Sequence, residues 1–464
     1  MKLKDIHPTH VVHLEIIKST EKEESIIRFA EHTLQNGITN TGSYQAGREL
    51  LLRSIKLPID PSQIEQADPA IIQVMNLENN VLPIQGPPGT GKSHTAAQMI
   101  ISLIKAGKKI GITALGHKVI TGLLEKVSTA ATKEKLNIRI VQKVRDLTGM
   151  NNPNWIETTD DNRLVRDSIQ KGFHIAAGTS FMWARQEFFE SVDFLFVDEA
   201  GQLSLIDTLA LSHAGKNLVL IGDPQQLKQP QKGSHPEGTE VSALEHILQE
   251  QKTISKDQGL FLETTWRMHP AIDDYISELF YDGRLHTKPE TANQRLEGSP
   301  SYQEPGLYVE LVNHEGNQNS SEEEVEKVVS IVDGLLGGNV YWIDVNKQKH
   351  ELSSHHIKII SPYNAQVEML IDRLPGIQIG TVDKFQGQEA PVIIFSMATS
   401  TPEDAPRGME FLYSLNRFNV AVSRARAIFI LVASTSLFEP DCKSTQQMQL
   451  ANSLCRLREM AKNE

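Results

Sequence analysis

The chain has 464 residues, enough for roughly two to four domains with full hydrophobic cores. Its 39% apolar and 22% charged residues are those of a globular protein, and no apolar run nears the ~18 residues a membrane span needs. Two cysteines, Cys442 and Cys455, lack paired spacing and so argue against a disulfide framework, a zinc site and a four-cysteine cluster. The start, MKLKDIHPTHVVHLEIIK, has no apolar h-region, so a cytoplasmic protein without a membrane partner is expected. The net charge of −12 speaks against a dedicated nucleic-acid binder, but it leaves room for an acidic body with a locally basic track.

In chain order, residues 1–66 read as a largely helical accessory segment with no chemistry of their own. Strand-like apolar runs then alternate with helical patterns: VLPIQ before TAAQMIISLIKA, KKIGITAL before KVITGLLEKV, then VDFLFVDEA and KNLVLIGDP. A second series follows in HIKIISPY, NAQVEMLIDRL, IGTVDKF, APVIIFSMA and RAIFILVAS. Such alternation implies α/β domains built on parallel sheets with helices on both faces. The expected domains are 67–254, with a small helical insertion at about 121–172, and 255–464; a Pro/Gly-rich loop beginning KQPQKGSHPEG precedes the boundary. Ser321 to Glu324 has the pattern of a capping box and reads as a solvated helix start.

The stretch QGPPGTGKSHT meets the P-loop pattern over Gly86, Pro87, Pro88, Gly89, Thr90, Gly91, Lys92 and Ser93, with His94 following. Its glycines let backbone N–H groups wrap phosphates, Lys92 adds a point charge to the β/γ oxygens, and Ser93 offers a hydroxyl to Mg²⁺. Downstream, an apolar strand ends in Asp198 and Glu199. Asp198 fits the magnesium shell, and Glu199 fits a general base acting on the attacking water. Gln226, after the strand end LIGDPQQ, is placed to report the γ-phosphate. In the second series, Arg267 and Arg424 have the character of arginine fingers reaching across a cleft; taken singly, each also fits a surface salt bridge. His355-His356 lacks ligand spacing and reads as a surface or strand feature.

The ordered set GPPGTGKS, VDEAGQ, GDPQQL, TWRMHP, SPYNAQ, GTVDKFQGQE and NVAVSRAR resembles the motifs of superfamily 1 helicases over about residues 67–435. TWRMHP with FQGQE is similar to the 5′→3′ branch that holds the nonsense-mediated-decay and nuclease-fused replication helicases. GHKVI, KGSHPEGTEVSALEHIL and TWRMHPAIDDYISELFYDGRL look like bacterial proteins in which the helicase follows a RecB-like nuclease. The resemblance implies two tandem RecA-like P-loop NTPase domains, with ATP and Mg²⁺ in the cleft and single-stranded nucleic acid, DNA favoured over RNA, across their tops. It implies that Trp266 stacks on adenine, that Arg267 and Arg424 contact the γ-phosphate, and that Glu389 couples to ribose or phosphates. Thr113, His117, Lys118, Thr179, Tyr363, Gln366, Thr381 and Lys384 are its implied nucleic-acid contacts. Two departures stand out. Pro69 falls near the place of the family's adenine-reading glutamine, with Gln73 close by, and DEAGQ replaces the commoner DEAAQ. The 66 leading residues are too few for a nuclease domain, so a cooperating nuclease would be a separate subunit. A rival from another class is a nucleotide-gated module that clamps nucleic acid or a nuclease with little unwinding.

Overall fold

The structure, a computed structural model, describes residues 18–60, 68–145, 154–228 and 238–462. Eight strands form the first sheet: β1 (Val81–Gln85), β2 (Ile110–Thr113), β3 (Ile140–Lys143), β4 (Glu157–Thr159), β5 (Ile175–Ala177), β6 (Val192–Asp198), β7 (Gly215–Gly222) and β8 (Leu260–Phe261). Their order is β4-β3-β5-β2-β6-β7-β1-β8, and every pairing is parallel. A parallel sheet needs cover on both faces, so its strands are apolar throughout rather than alternating. β1 is buried at all five positions, and β6 exposes only Asp193 in part. The helix Lys92–Lys105 covers one face through Ala96, Met99, Ile100 and Leu103.

The other face is closed by residues that the sequence reading left as a separate segment. The helices Thr20–Asn36 and Gln45–Leu52 seat Phe29, Ala46 and Leu50 against Leu195, Leu209 and Leu218. Ser25 Oγ donates to Ala210 O at 2.6 Å, fixing the first helix to the helix Leu205–Ser212. Burying such side chains is worth about 1.5–3 kcal/mol each, which ties this segment to the first domain. Two further expectations change. The stretch 121–172 holds not only helix but β3 and β4, which extend the sheet edge; residues 146–153 lie outside the described part. The first sheet also runs to Phe261 in β8, past the expected boundary near 255.

The second half adds β9 (Thr264–Thr265), β10 (His286–Thr287), β11 (Arg295–Glu297), β12 (Gly306–Val312), β13 (Tyr341–Ile343), β14 (Lys349–Glu351), β15 (Ile357–Ile360), β16 (Gln378–Gly380), β17 (Ala390–Ser396) and β18 (Ala425–Ser434). Its main sheet is parallel in the order β12-β18-β17-β15-β16; β9 and β10 pair separately, and β11-β13-β14 form a small antiparallel sheet. β17 and β18 are buried almost end to end. The molecule is thus two tandem RecA-like α/β domains. The Pro/Gly-rich loop at 228–242 lies partly outside the described residues.

Candidate nucleotide cleft and nucleic-acid face

The P-loop leaves β1 and enters the helix Lys92–Lys105. Its curve needs glycine where φ is positive: at Gly89 (φ +77) an added Cβ would meet Thr265 Oγ1 at 2.4 Å and Arg267 Cβ at 2.6 Å. That crowding shows how tightly the TWR segment is stitched to the loop. Thr265 Oγ1 donates to Pro88 O at 2.9 Å, and Trp266 N to Gly89 O at 2.9 Å. Lys92 Nζ lies inside the curve, donating to Gly86 O at 2.6 Å, while Gly86 and Pro87 are buried behind it.

A cavity of about 420 Å³ opens at the loop. Pro88, Gly89, Thr90, Gly91, Lys92, Ser93 and His94 form one wall, with Glu199 and Gln226 beside them. Trp266, Arg267, Glu389 and Arg424 of the second domain form the other. Asp198 ends β6, 5% exposed, with Oδ1 accepting from Glu199 N at 3.0 Å. Burial first, and then the neighbouring Glu199, push the Asp198 carboxyl up to about 7. Glu199 itself takes a left-handed φ of +54, uncommon for a non-glycine residue, as the chain turns out of the strand. That turn presses on the loop after β7: a Cβ on Gly201 would fall 2.5 Å from the carbonyl carbon of Asp223. The glycine in DEAGQ therefore has a local steric reason.

The fit to Mg²⁺ is read from the donor set. Ser93 lines the phosphate cavity and the buried carboxylate Asp198 stands close enough to Lys92 to feel its charge, and Mg²⁺ commonly takes one or two carboxylates together with substrate phosphates and water. Among the described residues no group of three or more His, Cys, Asp or Glu side chains is placed to hold a metal ion.

Across the cleft, Arg267 and Arg424 are not surface salt-bridge residues. Arg424 is 2% exposed; its Nε donates to Val420 O at 3.0 Å and a guanidinium nitrogen donates to Gln226 Oε1 at 3.3 Å. Burial, with Arg267 adding to it, lowers Arg424 to about 9. Arg267 donates through Nε to Glu389 Oε2 and through a terminal nitrogen to Ser423 O at 3.0 Å. Burial pushes the Glu389 carboxyl up, but Arg267 and Arg426 outweigh it and hold it at about 2. Glu389 therefore serves here to orient two arginines.

A larger space of about 830 Å³ adjoins the phosphate cavity; Thr90 and Trp266 line both. Trp266 is 62% exposed, with Lys288 Nζ 4.4 Å from its ring centre, so the indole offers a free face for a planar base. Pro69 lines this space. Gln73 does not: it is buried, and its amide accepts from Ile59 N at 3.2 Å and donates to Ile59 O.

The expected nucleic-acid contacts lie at or after C-terminal strand ends: Thr113 as the last residue of β2, with His117 and Lys118 after it, Thr179 after β5, Tyr363 and Gln366 after β15, Thr381 and Lys384 after β16. Lys118 is exposed; Thr179 and Thr381 are partly so. His117 is half-buried, and burial together with Lys143 lowers its ring below the ordinary histidine range. Lys384 is exposed, although its Nζ donates to Ile379 O at 2.7 Å. Three contacts need correction. Thr113 is fully buried, and Tyr363 is buried with its ring 5.7 Å from that of Phe411. Gln366 is fully buried, donating to Ser396 Oγ at 2.9 Å and accepting from Ser321 N at 2.8 Å. It belongs to an internal network in which Glu324 Oε2 accepts from Ser396 Oγ at 2.6 Å and Ala398 N at 2.9 Å. Ser321 Oγ does accept from Glu324 N at 3.2 Å, but Ser321 N donates to Gln366 rather than to Glu324, so the expected capping box is not closed and Glu324 is buried instead of solvated.

Sequence reasoning passed over several residues here. Arg426, two residues past Arg424, shares Glu389; the Arg-Ala-Arg alternation entering β18 is the signal that could have found it. Lys126 lines the phosphate cavity from the helix His117–Lys133. Arg407 and Arg417 lie 3.9 and 4.6 Å from the Phe411 ring centre, beside Tyr363.

Two family models, each described as an AAA domain, match residues 63–260 and 239–436. The Danio rerio protein mov-10-B.1 is 28% identical over 421 residues, covering 77% of this chain and 40% of that one. Helicase sen1 of Schizosaccharomyces pombe is 31% identical over 264 residues, covering 53% and 15%. DNA polymerase alpha-associated DNA helicase A of the same yeast is 23% identical over 425 residues, covering 76% and 61%. The chain thus spans less than two thirds of each of these relatives. Among solved structures, it is similar to the arterivirus nonstructural protein 10 helicase with DNA, at 15% identity and a TM-score of 0.45, covering 82% of this chain and 65% of that one. Motif order and domain architecture agree with these sequence matches: the chain is similar to helicases and resembles those of superfamily 1.

Proposed function

We propose that the protein is an ATP-dependent nucleic-acid helicase and translocase, moving 5′→3′ on single-stranded DNA and working with a nuclease carried by another chain. One observation carries the catalytic part: Lys92, Glu199 and Gln226 of the first domain share a single cavity with Arg267, Glu389 and Arg424 of the second. Neither half is complete alone, so turnover depends on how the domains meet.

In this reading the P-loop amides and Lys92 bind the β/γ-phosphates, and Trp266 carries the base. Ser93 and Asp198 hold Mg²⁺, which when bound neutralises phosphate oxygens. Glu199 accepts the proton of the attacking water. Arg424 and Arg267 offset the negative charge that spreads over the transferred phosphoryl group. Grip on the strand comes from Lys118, Thr179, Thr381 and the Arg407–Phe411–Arg417 cluster, donors and a ring suited to backbone-tracking, salt-sensitive binding.

Support for DNA is the DNA helicase among the relatives, and support for polarity is the TWRMHP and FQGQE pattern. No described helix is long and apolar enough to cross a membrane. Strand displacement on duplexes with a 5′ or a 3′ single-stranded DNA overhang tests the reading. Unwinding from the 5′ overhang alone is expected; unwinding from the 3′ overhang alone would reverse the polarity, and ATP hydrolysis without unwinding from either would favour a nucleotide-gated clamp.

A further inference from the structure

The loop Asp223–Gln226, which follows β7 and bears the residue placed to sense the γ-phosphate, belongs to the first domain by chain and to the second by contact. Asn416 Nδ2 donates to Pro224 O at 3.0 Å and to Gln226 O; Asn419 Nδ2 donates to Gln225 O at 2.9 Å. Three consecutive carbonyls of the loop are thus held by two asparagines on one helix, Leu415–Val422, of the opposite domain. The side chains are held as well. Tyr281 Oη donates to Asp223 Oδ2 at 2.6 Å, and the same oxygen accepts from Gln226 Nε2 at 2.7 Å. Gln226 Oε1 accepts from Arg424, and Asn419 Nδ2 donates to the Tyr281 oxygen at 2.9 Å.

These bonds run from Asn419 through Tyr281, Asp223 and Gln226 to Arg424 and cross the domain boundary twice; the backbone between Asn419 and Arg424, to whose Val420 O Arg424 Nε donates, closes them into a buried ring. Tyr281 is fully buried, and burial with the adjacent Asp223 carboxylate raises its phenol well above the ordinary range, so it remains a donor. Its hydroxyl has one donor proton, committed to Asp223 by the acceptor role it plays toward Asn419. Asp223 in turn can accept from the amide nitrogen of Gln226 but cannot donate. The ring therefore fixes which way the Gln226 amide faces: nitrogen to Asp223, oxygen to Arg424. A flipped amide would set two acceptors against each other at Asp223 and two donors at Arg424.

We propose that Tyr281 is a positioning residue for ATP hydrolysis, setting the Gln226 amide and the Arg424 guanidinium as one unit so that the second domain registers the nucleotide through the 223–226 loop. Tyr281 does not line the phosphate cavity; it acts through Asp223 and Gln226. The assignment rests on the ATPase reading above.

The test is Tyr281→Phe, which keeps the ring against Phe261 and Phe280 and removes only the hydroxyl. Steady-state ATP hydrolysis with and without single-stranded DNA is measured beside the wild type, with thermal unfolding as a check on the fold. Expected is a kcat about ten-fold lower, with KM for ATP within about two-fold of wild type and cooperative unfolding retained. Should the variant lose its fold, Asn419→Asp, which changes one side chain of the ring at constant size, is expected to show the same kcat-selective loss. Wild-type kcat in a folded variant, or a loss confined to KM, overturns the positioning role while leaving the ATPase reading intact. A wild-type chain without ATP turnover under either condition overturns that reading, and the role of Tyr281 with it.

Discussion

The proposed nucleotide cleft and the proposed nucleic-acid face are built by opposite means. In the cleft, the side chains proposed to do chemistry meet one another: Arg424 touches Gln226, Arg267 and Arg426 share Glu389, and Lys92 is cradled by its own loop. On the nucleic-acid face, several motif residues point inward instead, with Gln366 tied to Ser321 and Ser396 and Thr113 buried at the end of β2. A site that must stabilise a developing charge needs preorganised groups in a confined space. A track that must be gripped and released needs only a few exposed donors, and rigid strand ends to carry them.

That contrast can be broken or sharpened by substitution. Lys92→Ala is expected to abolish measurable hydrolysis, and wild-type turnover in that variant would place the phosphate site elsewhere. Arg424→Ala should lower kcat by ~10³-fold with nucleotide binding largely kept, as for an arginine finger; equilibrium binding of a fluorescent ATP analogue beside steady-state rates separates the two effects. Gln366→Ala should cost about 1–3 kcal/mol of folding stability, because Ser321 N and Ser396 Oγ lose a buried partner. Strand affinity should hardly change in it, so a large loss of binding without loss of stability would restore Gln366 to the interface. The smallest effect is expected for Lys118→Ala: a few-fold weaker binding and a salt dependence shallower by about one counterion. An unaltered salt slope would take that lysine off the track.

The same contrast explains what was legible in the sequence. The phosphate loop and Asp198–Glu199 are contiguous stretches at strand ends, so residue type and spacing marked them, whereas the RMHP and SRAR arginines, which taken singly also fit surface salt bridges, were marked by the resemblance. Strand–helix alternation likewise yielded two α/β domains, and the resemblance added that they are RecA-like. What escaped depends on contacts distant in the chain. β3 and β4 are four and three residues long, too short to show a period. The helices before residue 61 look like an appendage until Phe29 and Leu50 are seen closing the first sheet. Glu324 has the chemistry of an exposed helix start, yet it is buried because Ser396 and Ala398, more than seventy residues later, bring it donors. Tyr281 lies within TWRMHPAIDDYISELFYDGRL and Asn419 opens NVAVSRAR, yet neither stretch gives them a role; only the folded cleft places them on Asp223 and Gln225.

Steady-state ATP hydrolysis by the intact chain, with no polymer, with single-stranded DNA and with single-stranded RNA, tests the central claim most directly. A cleft completed from both domains, beneath strand ends that carry the track, predicts a rate that rises strongly with single-stranded DNA and less with RNA. A rate that neither polymer changes would contradict the account, leaving a nucleotide switch whose second domain answers to something other than a nucleic-acid strand.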